Sequence, residues 1–182
     1  IVTRNYVREE HAFVLSDFID ALKHNWVAFL LNGAIIYAAY IILSVSITYY
    51  AAQIKSNSIF FVPLAICIGI AILFVFAQYY IPIMIVTFNL NLKQIYKNAF
   101  IFSIVGLWKN LLLTVILGVI VLGLYVLMLL MPLTLILSIL FAILILFSFC
   151  MFLINFTVYP LIDKMMIQPY KDKEKDNQIS ED

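Results

Sequence analysis

The chain has 182 residues, of which 65% are hydrophobic and only 12% are charged, whereas about 25% of the residues of soluble domains are charged. These few polar residues are not enough to cover the surface of a water-soluble globule of this size. Most of the chain must therefore lie in an apolar solvent, and we expect that solvent to be membrane lipid. The formal net charge of +1 leaves no basic surface for nucleic acid, which we exclude as a partner.

The first predicted element is a short amphipathic helix over about 16–25. Ser16 is a suitable N-cap, and Asp17 and Asp20 lie in the first turn, where the helix dipole favours negative charge. The apolar Phe18 and Leu22 are expected to lie against the membrane. We name this segment the first elbow, because it leads from the membrane surface into the first span.

The rest of the chain contains four long apolar stretches, at about 26–52, 59–88, 111–131 and 133–159. None of them contains Asp, Glu, Lys, Arg or His. Each reaches the roughly 20 residues that a helix needs to cross the hydrocarbon core, and a helix satisfies its own backbone in lipid. Short connections at 53–58 and around Pro132 predict two antiparallel hairpins. The predicted fold is therefore all-α, a polytopic transmembrane bundle of about four spans.

This bundle is predicted to form a single transmembrane domain over residues 1–170. Residues 171–182 mix charges of both signs with Asn, Gln and Ser, a composition typical of disorder. We expect a disordered cytoplasmic tail there.

A second amphipathic elbow is predicted over about 91–109. Asn91 is followed three residues later by Gln94, the spacing of a capping box that opens a helix. Lys93 and Lys97 lie one turn apart on one face of that helix. The other, apolar face is formed by Leu92, Ile95, Tyr96 and Ala99. We expect this helix to lie at the membrane interface and to lead into the third span.

The Lys and Arg residues predict the orientation. Of the 11 in the chain, only Lys55 lies on the side of the membrane that carries the first hairpin turn. The positive-inside rule therefore places both ends of this chain and the central connection in the cytoplasm.

The polar residues inside the spans are all neutral, which argues against a proton-coupled pump. Asn32, Gln78 and Asn155 are the most costly of them to expose to lipid. We interpret them as interhelical hydrogen-bonding residues, with a ligand site as the alternative.

Pro82 lies inside the second span, where it removes a backbone donor and predicts a kink. A static kink is the favoured interpretation, and the functional alternative is a hinge or a cavity lined by Tyr79 and Tyr80.

An internal duplication is a further hypothesis. A shift of 78 positions aligns Phe18 with Tyr96, Ala21 with Ala99, Phe74 with Phe152, and Pro82 with Pro160. The shift also superposes each elbow and each hairpin, as in a parallel repeat. Chance similarity between two apolar helices is the alternative.

Catalytic chemistry has no candidate residues. The acidic and histidine residues near the start of the chain fit no metal or acid–base spacing, so we interpret them as a solvated charged segment; they are Glu9, Glu10, His11, Asp17, Asp20 and His24. We expect no catalytic residue, no metal and no cofactor.

Several short motifs occur in a recognisable order along the chain. They are Val7–Glu10, Asp17-Phe18, Ala21–Trp26, Tyr79–Met84, Phe88, Leu92-Lys93 and Lys97–Ala99. Together they resemble the YesL-like family of bacterial integral membrane proteins, and the likeness covers nearly the whole chain. Asn89 stands where the family often has an acidic residue.

The resemblance implies a bacterial cytoplasmic membrane protein without an established molecular activity. It also implies an association with carbohydrate uptake and degradation systems. Family members carry a further hydrophobic segment upstream, so we expect that the amino terminus of the protein is missing from this chain.

Two functional hypotheses follow. The first is a non-enzymatic accessory protein that acts with a sugar ABC-transporter permease or as a homo-oligomer, and the alternative is a small transporter or channel subunit with two parallel repeats. A membrane-embedded enzyme is the least favoured. The candidate structural or interaction positions are Arg8, Glu9, Glu10, Asp17, Phe18, Asn25, Trp26, Gln78, Tyr79, Pro82, Lys93, Lys97 and Pro160.

Overall fold

The computed structural model describes residues 14–130 and 146–169, and every regular element in these ranges is helical. Contacts divide the chain into two compact units, one within Phe13–Val105 and the other within Gly106–Asp182. The all-α fold predicted from the sequence is confirmed. We refer to the two parts as the first unit and the second unit.

Helix α1, Val14–Gln53, is a single element of 40 residues. We predicted two elements here, an elbow over 16–25 and a span over 26–52, and the structure differs because the helix is continuous through Asn25. No Pro or Gly lies between Val14 and Asn32, so nothing interrupts the propagation of helical hydrogen bonds. Ser16 therefore lies inside the helix and does not cap it.

The turn between the first two helices is tight, as predicted. Asn57 Oδ1 accepts a hydrogen bond of 3.0 Å from the backbone N–H of Ile59, and a 3₁₀ turn, Ser58–Phe60, leads into helix α2, Phe61–Thr87. The Tyr50 and Phe60 rings stack at 6.4 Å across the hairpin. Helices α1 and α2 thus form an antiparallel hairpin.

Helix α3, Leu92–Val105, packs against the second half of α2. The ring centroids of Phe74 and Phe100 lie 6.3 Å apart, and those of Tyr80 and Phe102 lie 5.5 Å apart. We predicted an elbow over 91–109 on the membrane surface, but the helix ends at Val105 and its apolar face is used for this packing. Its buried residues, such as Ile95 and Ala99, belong to the core of the first unit.

The second unit contains helix α4, Leu107–Leu130, and helix α5, Phe147–Ile162, which continues as a π-helical turn, Asp163–Ile167. The two helices contact one another. The buried amide of Asn155 forms a hydrogen bond within its own helix, because Nδ2 donates to the Met151 carbonyl at 2.8 Å. The predicted reversal around Pro132 and the predicted tail over 171–182 lie outside the described residues.

Within residues 14–130 and 146–169, four segments are long and apolar enough to cross a membrane, as a multi-pass protein requires. They are Lys23–Gln53, Ser58–Thr87, Leu107–Val126 and Phe147–Ile167. Large apolar side chains such as Leu30, Ile42 and Val119 are exposed along them, as expected of helices that contact lipid. The predicted number of spans, about four, is confirmed as the number of described helices with the length and composition of a membrane span.

Candidate functional site

A cleft of about 620 Å³ opens in the first unit, at the end of the hairpin opposite the 54–60 turn. One wall is the first part of α1, which contributes Asp20, His24, Asn25 and Ala28. The other wall is the end of α2, the turn that follows it, and the start of α3, which contribute residues 85–90, Leu92 and Ile95. The first predicted elbow and the start of the second therefore border this cleft from opposite sides, and the end of α2 completes the second wall.

The α1 wall presents its polar groups on one side of the helix. Asp20 and His24 are four residues apart, which places them one turn apart on the same face. Both are exposed, and Asn25 lies beside them, half-buried. A carboxylate, an imidazole and an amide thus lie within about one and a half turns of the helix.

The opposite wall combines apolar and polar groups. Ile85 is buried, whereas Thr87 and Asn89 supply a hydroxyl and an amide. The Thr87 Oγ1 is buried and has no hydrogen-bond partner among the described residues. The cleft is consequently amphipathic, and it suits a ligand or a peptide segment that has both an apolar side and hydrogen-bonding groups.

The turn at 88–91 is held in place at both ends. The Phe88 N–H donates to the Met84 carbonyl at 3.0 Å and ends α2. Asn91 and Gln94 then bond reciprocally, since the Gln94 N–H donates to Asn91 Oδ1 at 2.9 Å and the Asn91 N–H donates to Gln94 Oε1 at 3.2 Å. The capping box predicted from the sequence is confirmed, and it fixes where α3 leaves the wall of the cleft.

Deeper in the first unit, each of its three long helices contributes one neutral polar side chain to a cluster. The Tyr96 hydroxyl of α3 donates to Asn32 Oδ1 of α1 at 2.5 Å, and Asn32 is only 5% exposed. Gln78 of α2 lies beside Tyr96, but neither Nε2 nor Oε1 has a partner with regular hydrogen-bond geometry among the described residues. We name Asn32, Gln78 and Tyr96 the polar cluster.

The electrostatic state of the polar cluster follows from its burial. Burial raises the pKa of the Tyr96 phenol above its usual value, and the neighbouring Gln78 amide offsets part of that rise. The phenol is therefore neutral at physiological pH. All three members of the cluster are uncharged hydrogen-bonding groups.

The structure places some of the predicted positions in these two sites. Asn25 lines the cleft, and Gln78 belongs to the polar cluster. Lys93 and Lys97 are both exposed on α3, on the face predicted for them. Trp26 is exposed on α1.

Other predicted positions lie apart from both sites. Tyr79 and Pro82 are half-buried in α2, and neither they nor Tyr80 line the cleft, so the cavity predicted between the two tyrosines is not the cleft that the structure contains. Pro160 is exposed in α5 of the second unit. The remaining positions lie outside the described residues or have undescribed side chains; they are Arg8, Glu9, Glu10, Asp17 and Phe18.

Sequence reasoning did not predict the cleft, and it did not predict that Tyr96 is the hydrogen-bond partner of Asn32. Asn32 was predicted as an interhelical hydrogen-bonding residue, and Tyr96 confirms that prediction, although Tyr96 itself was assigned to an apolar face. The two residues are 64 positions apart, and only the antiparallel register of α2 and α3 brings Tyr96 to this depth. Thr87 and Asn89 carried no recognisable motif.

Neither protein-family models, nor curated proteins, nor solved structures give a significant match to this chain. The resemblance to the YesL-like family stays a prediction. Within the described ranges, no group of three or more His, Cys, Asp or Glu residues could hold a metal ion.

Proposed function

We propose that this chain is a non-enzymatic, multi-pass protein of the bacterial cytoplasmic membrane that binds a partner membrane protein through the cleft. This proposal is based mainly on the amphipathic cleft, which is lined by the first predicted elbow on one side and by the end of α2 and the start of the second predicted elbow on the other. A cytoplasmic loop or short helix of a partner has both apolar and hydrogen-bonding groups, and such a segment fits a cleft of this composition.

The partner that we propose is the permease of a sugar ABC transporter. This choice rests on the resemblance to the YesL-like family and its association with carbohydrate uptake. The positive-inside rule supports a cytoplasmic location of the cleft, because Lys93, Lys97 and Lys23 all lie on elements that border it.

Co-purification from native membranes in mild detergent tests the proposal. Ala28 lines the cleft and is half-buried, so Ala28→Phe fills part of its volume, whereas Val27→Phe adds the same ring at an exposed neighbouring position. We expect the permease to co-purify with the wild type and Val27→Phe and to be lost with Ala28→Phe.

Asn89→Trp is a second cleft variant that separates binding from folding, because Asn89 is exposed and lies in the turn. We expect it to abolish co-purification while its thermal unfolding in detergent matches the wild type. Recovery of the wild-type protein alone under several growth conditions, or equal retention of the permease by all variants, would contradict the proposal.

A second candidate function is a small transporter or channel subunit with two parallel repeats. Every buried residue of α5 lies 78 positions after a buried residue of α2, in the pairs Ala77 and Asn155, Tyr80 and Val158, Ile81 and Tyr159, and Met84 and Ile162. The same shift relates two buried amides, Asn32 and Asn110. Equal spacing of buried positions in both halves is expected of a duplicated hairpin.

The neutral polar cluster gives this candidate its ligand chemistry, since Nε2 and Oε1 of Gln78 are buried and have no partner with regular hydrogen-bond geometry among the described residues. An uncharged hydroxylated molecule would satisfy both groups. Flux measurements in liposomes that contain the purified protein test the candidate, with sugars, ions and small metabolites as solutes. Wild-type flux that Gln78→Leu abolishes supports the transporter candidate, and the absence of flux for all three classes removes it.

A further inference from the structure

The cleft lies at the depth of the lipid headgroups. The spans that form its walls, Lys23–Gln53 and Ser58–Thr87, have 31 and 30 residues and extend about 45 Å at the rise of an α-helix. A bilayer is about 40–45 Å thick with both headgroup layers and about 30 Å thick without them, so each layer covers about the last 5–8 Å of these spans. The lining residues His24, Asn25 and 85–87 fall within that depth.

The polarity of the lining changes along the membrane normal in the order of a lipid molecule. Asp20 lies three residues before Lys23, about 4–5 Å further toward water, whereas Ala28 lies five residues after it, about 7–8 Å toward the hydrocarbon. His24 supplies a hydrogen-bonding imidazole between these two levels, and the buried Ile85 contributes an apolar side chain to the opposite wall. A molecule with a charged end, a polar middle and an apolar end therefore fits the cleft.

Charge decides which headgroup fits. With His counted as neutral, Asp20 is the only residue with a formal charge among the described residues that line the cleft, and it is exposed. The opposite wall includes the end of α2, which has no basic residue in its last turn and whose carbonyl groups carry partial negative charge. The cleft therefore favours a cationic group.

An opposite charge lies beside this cationic subsite. Lys23 is exposed on α1 three residues after Asp20, and side chains at this spacing are neighbours whose Cβ atoms are about 5–6 Å apart. Lys23 favours an anionic group at the edge of the cleft, next to the cationic group that Asp20 favours. The two charges are thus complementary to a zwitterion.

We propose that the cleft binds the headgroup of phosphatidylethanolamine, a zwitterionic aminophospholipid. Its ammonium has three N–H donors, like that of lysine, for the Asp20 carboxylate and the carbonyl end of α2, and its phosphate lies beside His24 and Lys23. The quaternary ammonium of phosphatidylcholine has no N–H donor, and phosphatidylglycerol has no ammonium group, so neither forms these hydrogen bonds. Lipid binding needs no protein partner, and a partner segment that enters the cleft displaces the headgroup.

Native mass spectrometry of the purified chain in detergent tests the site. The chain is mixed with equal amounts of phosphatidylethanolamine, phosphatidylcholine and phosphatidylglycerol that have the same acyl chains, and the first bound lipid is identified by its mass. We expect phosphatidylethanolamine to exceed each of the others roughly three- to tenfold, because a hydrogen bond to a charged group is strong but Asp20 is exposed to solvent.

Variants of the cleft assign this preference to its residues. Asp20→Asn keeps the size of the side chain and removes its charge, so it should bind phosphatidylethanolamine and phosphatidylcholine equally. Asp163→Asn is the matched control, because Asp163 is a carboxylate of the second unit, and it should keep the wild-type preference. Ala28→Phe should lower the binding of phosphatidylethanolamine, whereas Val27→Phe, at the exposed neighbouring position, should not.

Three outcomes would overturn the proposal. They are equal binding of phosphatidylethanolamine and phosphatidylcholine by the wild type, a preference for phosphatidylglycerol, and a preference for phosphatidylethanolamine that Asp20→Asn retains. The result is separable from the proposed function, since loss of the lipid preference leaves permease co-purification unchanged as a test, and failure of co-purification leaves the lipid measurement intact.

Discussion

Two amides in the first unit differ in how their hydrogen-bonding capacity is used. Asn32 accepts a hydrogen bond from Tyr96, and the pair links α1 to α3. Gln78 lies beside them with both polar atoms buried and without a regular partner among the described residues. A buried polar group that loses its bonds to water and gains none in return costs about 1–3 kcal/mol, so Gln78 lowers the stability of the first unit.

We predict that Gln78→Leu stabilises the protein. Leucine fills a similar volume and removes the unpaired amide, so the free energy of unfolding should rise by about 1–2 kcal/mol. The melting temperature in detergent, followed by circular dichroism, measures this change.

Asn155→Leu is the matched control for this prediction. Asn155 is also a buried amide of a spanning helix, but its Nδ2 donates to the Met151 carbonyl at 2.8 Å. Its replacement should lower the melting temperature. If Gln78→Leu also lowers it, Gln78 has a stabilising partner within the protein, which would remove the ligand chemistry proposed for the transporter candidate.

At the scale of the helical element, the clearest feature is the capping box of Asn91 and Gln94 at the start of α3. We predict that Asn91→Ala destabilises the start of α3 by about 1 kcal/mol, the usual cost of a lost N-cap. Hydrogen exchange at the Gln94 amide should accelerate, because that N–H loses its 2.9 Å bond to Asn91 Oδ1. Asn89→Ala, in the same turn, is the control, and equal acceleration in both variants would refute the role of the cap.

Some elements were predictable because their determinants are local. The capping box needs only Asn91 and Gln94, three residues apart, and the hairpin turn needs only the short polar segment before Ser58. The direction of α3 was not predictable in this way. An amphipathic helix can bury its apolar face in the membrane interface or against another helix, and the aromatic pairs with Phe74 and Tyr80 that decide between them join residues distant in sequence.

The separation of α1 into an elbow and a span failed for a related reason. The charged residues before Trp26 suggested a boundary, since a span begins where charge ends. A change from charged to apolar residues does not by itself end a helix, and the segment from Asp20 to Trp26 contains no Pro or Gly. The residue at which a helix enters the membrane and the residue at which the helix begins are thus different positions. The sequence indicates the entry into the membrane more clearly than the start of the helix.

At the scale of the whole molecule, we predict that the first hairpin turn is outside the cell and the cleft inside. Asn57→Cys and Asn89→Cys place single exposed thiols at the two ends of the hairpin, in a background without Cys67 and Cys150. An impermeant maleimide should label position 57 in intact cells and position 89 only after permeabilisation. The reverse pattern would overturn the orientation inferred from the Lys and Arg residues.

The number of helices long and apolar enough to cross a membrane was predictable, because length and apolar composition determine it. The cleft was not predictable, because it depends on how Asp20 and His24 of α1 face Thr87 and Asn89 of another segment. No short-range pattern connects these residues. Interaction surfaces of this kind follow from packing, which the sequence encodes only through the combined preferences of many side chains.

The length of α1 has a mechanical consequence. Its 40 residues extend about 60 Å, twice the thickness of the hydrocarbon core, and residues 20–28 near its start form one wall of the cleft. A change of about 10° in the tilt of such a rod, pivoting at the bilayer centre, displaces its far end by roughly 5 Å. Bilayer thickness thereby acts on the distance between the walls, and lipids of different chain length should alter the width of the opening.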